Sequence, residues 1–248
     1  MQQTDPKYAV LVTGASGGIG AASARALHRH GSRVILSGRS EQALAALAEE
    51  LETTYFVSDV TVPTEVEQLI ASSQSVHGRL DGIVHAVGSM LLKPAHITSP
   101  EEFITTINVN LVSAFLVLKY GVKPMMSTGG SMVFFSTVAT GIGLANHEAI
   151  AAAKAGIEGM VRSAAASYAS KGIRVNAVAP GLTRTPLAEK ITSNEASLKA
   201  SIALHPLGRI GEASDIASAV AWLMNPANTW ITGQIIRVDG GLSTVRAR

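Results

Sequence analysis

Short runs of β-branched, aromatic and other apolar residues recur along the chain, each followed by a stretch whose apolar positions repeat at helical spacing. The runs fall at residues 8–12, 33–37, 55–58, 82–87, 131–136, 174–179 and 235–238, and the helical patterns near 18–29, 41–51, 63–77, 100–126, 149–171 and 212–225. The strand runs lack polar alternation, which is the mark of burial on both faces in a parallel sheet covered by helices. Repeated β-α-β alternation predicts an α/β fold: a doubly wound parallel sheet of about seven strands with helices on both faces. No linker, repeat or low-complexity segment interrupts the pattern, so residues 1–248 read as one domain. Residues 182–211 show no strand pattern and are expected to form a mobile lid over a ligand.

Composition narrows the function classes. A chain of 248 residues with 47% hydrophobic content buries one large core. Only 15% of residues are charged, and an extensive subunit interface would account for so little charge on the surface. A net charge of +2, with no basic run longer than two residues, argues against nucleic-acid binding. The seven histidines show no metal-ligand spacing, so no metal site is expected. The chain has no cysteine, and residues 1–7 are polar with no apolar leader, which reads as a cytoplasmic location. Residues 125–146 are uncharged but rich in Ser, Thr and Gly, and read as a buried strand and loop rather than a membrane span.

The first chemical signal, residues 13–20, follows the first strand and opens the first helix: Thr13, Gly14, Ala15, Ser16, Gly17, Gly18, Ile19 and Gly20. Glycine is needed where the backbone turns sharply, where it approaches a pyrophosphate and where helix meets strand. The helix N-terminus then offers free amides and a positive dipole end to phosphates. Glycine also ends strands for purely steric reasons, but the strand–turn–helix placement favours a dinucleotide. The second strand ends at Gly38 and Arg39, without the carboxylate that would bond a ribose diol. A guanidinium there suits a 2′-phosphate, so NADP(H) is favoured over NAD(H). Asp59, after the third strand, suits either an adenine amino group or an N-cap for the next helix.

Further motifs complete the picture: Asp59-Val60, His85-Ala86-Val87-Gly88, Asn110, Ser136-Thr137, Lys154, residues 174–181 ending in Pro180-Gly181, Gly208-Arg209, Thr232-Gly233 and Asp239-Gly240-Gly241. With these in order, the chain resembles the short-chain dehydrogenase/reductase family over residues 8–243, notably β-ketoacyl-carrier-protein reductases and bacterial sugar or alcohol dehydrogenases. The resemblance implies a Rossmann-type fold and a set of roles. Lys154 would bond the nicotinamide ribose and favour a deprotonated acid nearby. Asn110 would hold a water through a local kink in its helix. Thr137 takes the serine position and would bond a substrate carbonyl, with adjacent Ser136 the weaker choice. Val60, Ala86 and Gly88 join the cofactor set, as do Pro180, Gly181, Leu182, Thr183 and Thr185 beside the carboxamide and pyrophosphate. His85-Ala86-Val87-Gly88 keeps the family's final glycine but not its usual amides, so its stabilising role is altered.

One position departs from the resemblance. Ile150 stands where the family places a tyrosine, four residues before Lys154 and one helical turn away on the same face. Isoleucine carries no proton, and general acid catalysis is typically worth ~10²–10⁴-fold. His147, seven before the lysine, is the substitute: enoyl-acyl-carrier-protein reductases, relatives in this superfamily, carry their tyrosine at that spacing, and histidine titrates near neutrality. It could instead merely cap the helix or lie on a substrate loop; Glu148 is the weaker candidate.

Two functions follow. One is an NADP(H)-dependent reductase of a carbonyl or activated C=C in a small apolar substrate, with an unusual proton donor. The other is a catalytically impaired NADP(H)-binding protein with a sensor or structural role. Relatives pair the helices near 100–126 and 149–171, and the low charge favours a homotetramer or dimer. The substrate pocket is expected from 89–98, 138–148 and 182–211, with Leu91, Leu92, Ile142, Leu144 and Leu187 as its apolar lining.

Overall fold

The apolar runs become the strands of one sheet: β1 (Ala9–Thr13), β2 (Arg33–Gly38), β3 (Thr54–Val57), β4 (Gly82–His85), β5 (Gly130–Phe135) and β6 (Ile173–Pro180). Two short strands, β7 (Thr183–Arg184) and β8 (Gly211–Glu212), precede the last, β9 (Ile235–Val238). The computed structural model describes residues 8–246; the polar stretch 1–7, expected to lack an apolar leader, lies outside the described residues. Seven strands run parallel in the order β3-β2-β1-β4-β5-β6-β9. The order reverses beside β1, so the cleft beyond the C-terminal ends of β1 and β4 is the topological switch point where ligands bind in such sheets.

Alternate side chains of each strand enter separate cores. Leu11, Ile35, Ile83, Met132 and Phe134 meet α3 (Pro63–His77), α5 (Ser113–Met125) and α6 (Glu148–Tyr168). Val10, Val12, Leu36, Val84 and Val133 meet α1 (Gly18–Arg29), α2 (Glu41–Glu50) and α9 (Ala213–Met224). All five residues of β1 are fully buried, which accounts for the missing polar alternation. Each fully buried Leu or Ile contributes roughly 1.5–3 kcal/mol, an upper bound given residual burial in the unfolded chain.

The helix over 100–126 carries its expected kink: α4 (Pro100–Ile107) passes through a π turn (Asn108–Val112) into α5. The combined run Pro100–Met125 is long and apolar enough to cross a bilayer, yet α5 supplies Val117 and Met125, fully buried, to the core. The structure corrects the reading of two other regions. Residues 182–211 do contain a strand: β7 pairs in parallel with β8, and α7 (Glu189–Thr192) and α8 (Glu195–Leu204) lie between them. A two-residue strand leaves no periodicity to read. Finally, the run 82–87 leaves the sheet after His85, where the chain turns into the cleft.

Candidate functional site

Because the strands are parallel, the segments that follow them emerge at the same sheet edge. Residues 14–20 follow β1, Arg39 follows β2, Asp59 lies just past β3, 86–89 follow β4, 136–137 follow β5 and 180–185 close β6. Gly14 adopts φ +74°, and a Cβ there would lie 2.7 Å from the Ala86 carbonyl. A Cβ on Gly20 would meet the Gly14 carbonyl oxygen at 2.1 Å, so helix and turn touch directly. Helix α1 starts behind Gly17 with no side-chain cap and no acidic residue in its first turn. Its leading amides and dipole are left open to an anion, as a pyrophosphate cradle requires.

The end of β2 carries no carboxylate. A Cβ on Gly38 would lie 2.8 Å from Ser16 Oγ, the tip of a short exposed side chain. Arg39 is exposed and has no hydrogen-bond or ion-pair partner among the described residues. Asp59 does not cap the next helix, which starts behind Val62. Instead its Oδ1 accepts from Thr61 N (2.9 Å) and Thr61 Oγ1 (2.7 Å), an Asx turn that holds its pKa below the ordinary carboxylate value and leaves Oδ2 without a hydrogen-bond partner among the described residues. Val60 is buried beside it.

Lys154 is 8% exposed and forms no hydrogen bond among the described residues; burial lowers its pKa from 10.5 to about 8. A Cβ on Gly88 would fall 3.3 Å from Lys154 Nζ and 2.9 Å from Asn110 Oδ1, so the glycine keeps these groups together. Asn110 sits within the π turn and is fully buried. Its Nδ2 donates to Ser89 Oγ (3.0 Å) and Thr106 O (2.9 Å), and its Oδ1 accepts from Ser89 N (3.2 Å). The kink expected at Asn110 is this π turn, a feature common at functional sites.

His85 was read only as an altered turn residue, yet it anchors this corner. Ser113 Oγ donates its one hydrogen to Val109 O (2.6 Å) and so accepts from His85 Nε2–H (3.2 Å). Nδ1 is then the bare nitrogen, accepting from Thr13 Oγ1 (2.9 Å). Burial, and secondarily the Lys154 charge, push the ring's pKa down to about 3, so it is neutral. The bridge ties β1 to the π turn.

Thr137 is half-buried at the head of the loop after β5; its Oγ1 accepts from Ala139 N (3.4 Å), and its own hydrogen has no acceptor among the described residues. Ser136 differs: it is buried and donates to Glu158 Oε1 (2.8 Å). Glu158, one turn past Lys154, was not singled out from the sequence. Thr140 Oγ1 lies 2.5 Å from the same carboxylate oxygen and 2.8 Å from Thr137 O, and Arg162 reaches Oε2 at 3.1 Å. Burial acts to raise the Glu158 pKa, but these hydrogen bonds outweigh it and hold the group below its ordinary value.

Ile150 is 6% exposed on α6, one turn before Lys154. His147 is the N-cap residue of α6, so the helix stops one residue short of it. Asn146, at φ +65°, makes the turn into the cap and accepts Lys93 N at 2.9 Å, joining the loops at 89–98 and 138–148. His147 Nδ1 donates to Ala145 O (2.8 Å), which fixes the tautomer and leaves Nε2 without a partner among the described residues. Leu91, Ile142 and Leu144 are partly buried on these loops, while Leu92 and Leu187 are exposed.

The segment after β6 folds back over the cradle. A Cβ on Gly18 would meet Thr185 Cγ2 at 2.9 Å, so Thr185 lies against the first turn of α1. Gly181 N donates to Val238 O (3.1 Å), and Thr183 Oγ1 to Gly181 O (3.1 Å). Pro180 and Leu182 are partly exposed beside them.

Residues 14–243 match the protein family described as enoyl-(acyl carrier protein) reductase. A 2,5-dichloro-2,5-cyclohexadiene-1,4-diol dehydrogenase of Sphingobium indicum is 33% identical over 243 residues, covering 95% of this chain and 97% of its own. A 3-oxoacyl-(acyl-carrier-protein) reductase of Rickettsia bellii is 36% identical over 241 residues, covering 95% and 96% respectively. The solved structure of a short-chain type dehydrogenase/reductase from Mycobacterium ulcerans superposes with a TM-score of 0.93 at 31% identity, covering all of this chain and 93% of that one.

Proposed function

The chain belongs to the short-chain dehydrogenase/reductase family, oxidoreductases that use nicotinamide cofactors, and from that premise we propose that it is an NADP(H)-dependent reductase of a carbonyl or activated C=C in a small apolar substrate. The observation that carries the reading is the pairing, at one sheet edge, of an uncapped α1 N-terminus with a Thr137 hydroxyl whose hydrogen has no acceptor among the described residues. A cofactor site alone does not need that hydroxyl. Gly14, Ser16, Gly17, Gly18, Ile19 and Gly20 would hold the pyrophosphate, Arg39 the 2′-phosphate, and Asp59 with Val60 the adenine. Ala86, Gly88, Pro180, Gly181, Leu182, Thr183 and Thr185 complete the cofactor walls. When bound, the reduced nicotinamide supplies the hydride.

Thr137 Oγ1–H orients the substrate oxygen. Lys154 holds the ribose and lends positive charge to the developing alkoxide. With Ile150 apolar, the proton comes from Nε2–H of His147 in its imidazolium form, whose Nδ1–H is held by Ala145 O, or from a water at the π turn of Asn110. Both Asn110 Nδ2 hydrogens and one Oδ1 lone pair are taken, so such a water would bond the main chain there or the remaining Oδ1 lone pair. Residues 182–211 serve as the lid.

The protein works as a homotetramer or dimer on a small molecule, without nucleic acid or membrane. Phe103, Ile104, Val112 and Phe115 are exposed along α4, the π turn and α5, which supports pairing through these helices. A cytoplasmic location fits this chemistry.

The test is oxidation of NADPH and NADH with cyclohexanone, a β-ketoacyl thioester, a quinone and an enoyl thioester. Turnover favouring NADPH is expected with at least one. Tight NADPH binding with no turnover on any of them selects the second reading, a binder that has lost catalysis, which the apolar Ile150 supports. Unchanged turnover in His147→Ala removes the histidine from the proton role.

A further inference from the structure

Two hydroxyls flanking Thr137 converge on one carboxylate oxygen. Ser136 Oγ donates to Glu158 Oε1 at 2.8 Å, and Thr140 Oγ1 lies 2.5 Å from the same atom. These residues stand one before and three after Thr137, so the carboxylate grips the loop on both sides of it. Thr140 Oγ1 is also 2.8 Å from Thr137 O, and Thr140 N donates to that carbonyl at 3.2 Å. With one hydrogen to give, the Thr140 hydroxyl is shared between the Thr137 carbonyl and Glu158, linking them either way. The side chain of Glu158 is 13% exposed, and Arg162, one turn further along α6, holds its second oxygen. A largely buried carboxylate without these partners would be costly, so the four groups form one unit.

We propose that Glu158 is a positioning residue for the reduction: by gripping Ser136 and Thr140 it sets the Thr137 hydroxyl at a fixed height above α6, the helix that also carries Lys154. The inference rests on the reading of Thr137 as the group that orients substrate. Glu158 and Lys154 lie four residues apart on one rigid helix, so the distance between substrate oxygen and ammonium is set by the helix rather than by a free loop. The engagement of Ser136 also leaves Thr137 as the one hydroxyl of the pair with a hydrogen to offer. Displacing such a group by about 1 Å costs on the order of 100-fold in rate.

The test combines cyclohexanone reduction by NADPH with hydrogen–deuterium exchange of the amides at 136–141. Glu158→Ala is expected to raise exchange there about tenfold or more and to lower kcat/KM about 10- to 100-fold. NADPH affinity should stay within about twofold, because Lys154 keeps its place on the helix and the other cofactor contacts lie on other elements. Glu158→Gln keeps an acceptor for both hydroxyls and should restore most of both losses. In a Thr137→Val background, Glu158→Ala should add little further loss in kcat/KM, since it acts through Thr137. Additive losses, or a Glu158→Gln variant as impaired as Glu158→Ala, overturn the proposal. The exchange measurement needs no turnover: unchanged protection in Glu158→Ala overturns it as well. Full turnover in Thr137→Val overturns instead the reading of Thr137, and with it any link from Glu158 to the reaction, while the exchange result still reports whether the grip exists.

Discussion

Replacing Lys154 with methionine should make the cofactor-free protein more stable near neutral pH. The ammonium is 8% exposed without a hydrogen bond among the described residues, and burial alone lowers its pKa from 10.5 to about 8. That displacement corresponds to roughly 3 kcal/mol of destabilisation when the folded state must carry the charge. The sign follows from proton counting. Below pH 8 both folded and unfolded chains are protonated and the full cost is present. Between about 8 and 10.5 the unfolded chain binds more protons than the folded one, so stability rises with pH. Methionine has similar length and no charge, so Lys154→Met should raise Tm by roughly 5–10 °C at pH 7 for a domain of this size, and the gain should shrink towards pH 10. The assay is thermal unfolding of both proteins at pH 7 and pH 10, without cofactor, the wild type serving to cancel all other titrations. A destabilised variant, or a gain that does not change with pH, refutes the assigned burial cost. Retaining so costly a residue fits a site where function opposes stability.

Arg39→Ala should weaken NADPH binding about 10- to 100-fold and leave NADH within about twofold, by loss of one charge-assisted contact; fluorescence titration of both cofactors checks this. His85 should stay neutral and protonated on Nε2 from pH 8 down to pH 5, visible in ring nitrogen chemical shifts, because burial lowers its pKa from 6.5 to about 3. As the pH drops from 6.5 towards 3 the unfolded chain gains a proton the folded one refuses, so stability is lost across that window. His85→Gln should flatten this part of the acid unfolding curve.

The sheet was readable because its strands are buried on both faces and therefore uniformly apolar, β1 most plainly. The cradle was readable because glycine spacing reflects contacts a Cβ would break, as at Gly14 and Gly20. Other features left no local trace. Strands β7 and β8 are two residues each, too short for any period. The π turn hides inside a continuous helical pattern, and only the resemblance placed a kink at Asn110. Glu158 meets hydroxyls 22 and 18 residues away, a pairing that sequence separation conceals. A polar signal did exist in both missed cases: a carboxylate one turn past Lys154 in an alanine-rich helix, and an imidazole ending a wholly buried strand. A polar group in such surroundings demands partners. Asp59 shows the converse, since an acid just before a helix reads equally as cap or ligand until the Asx turn removes the cap.

In this reading hydride transfer survives Ile150 and only the proton donor has moved. The decisive comparison is single-turnover reduction of cyclohexanone with NADPH deuterated at C4 by wild type and by Ile150→Tyr. Deuterium should appear on the product carbinol carbon with both proteins, and the tyrosine variant should be faster by up to ~10²–10⁴-fold. Deuterium transfer by Ile150→Tyr but none by the wild type would contradict the claim.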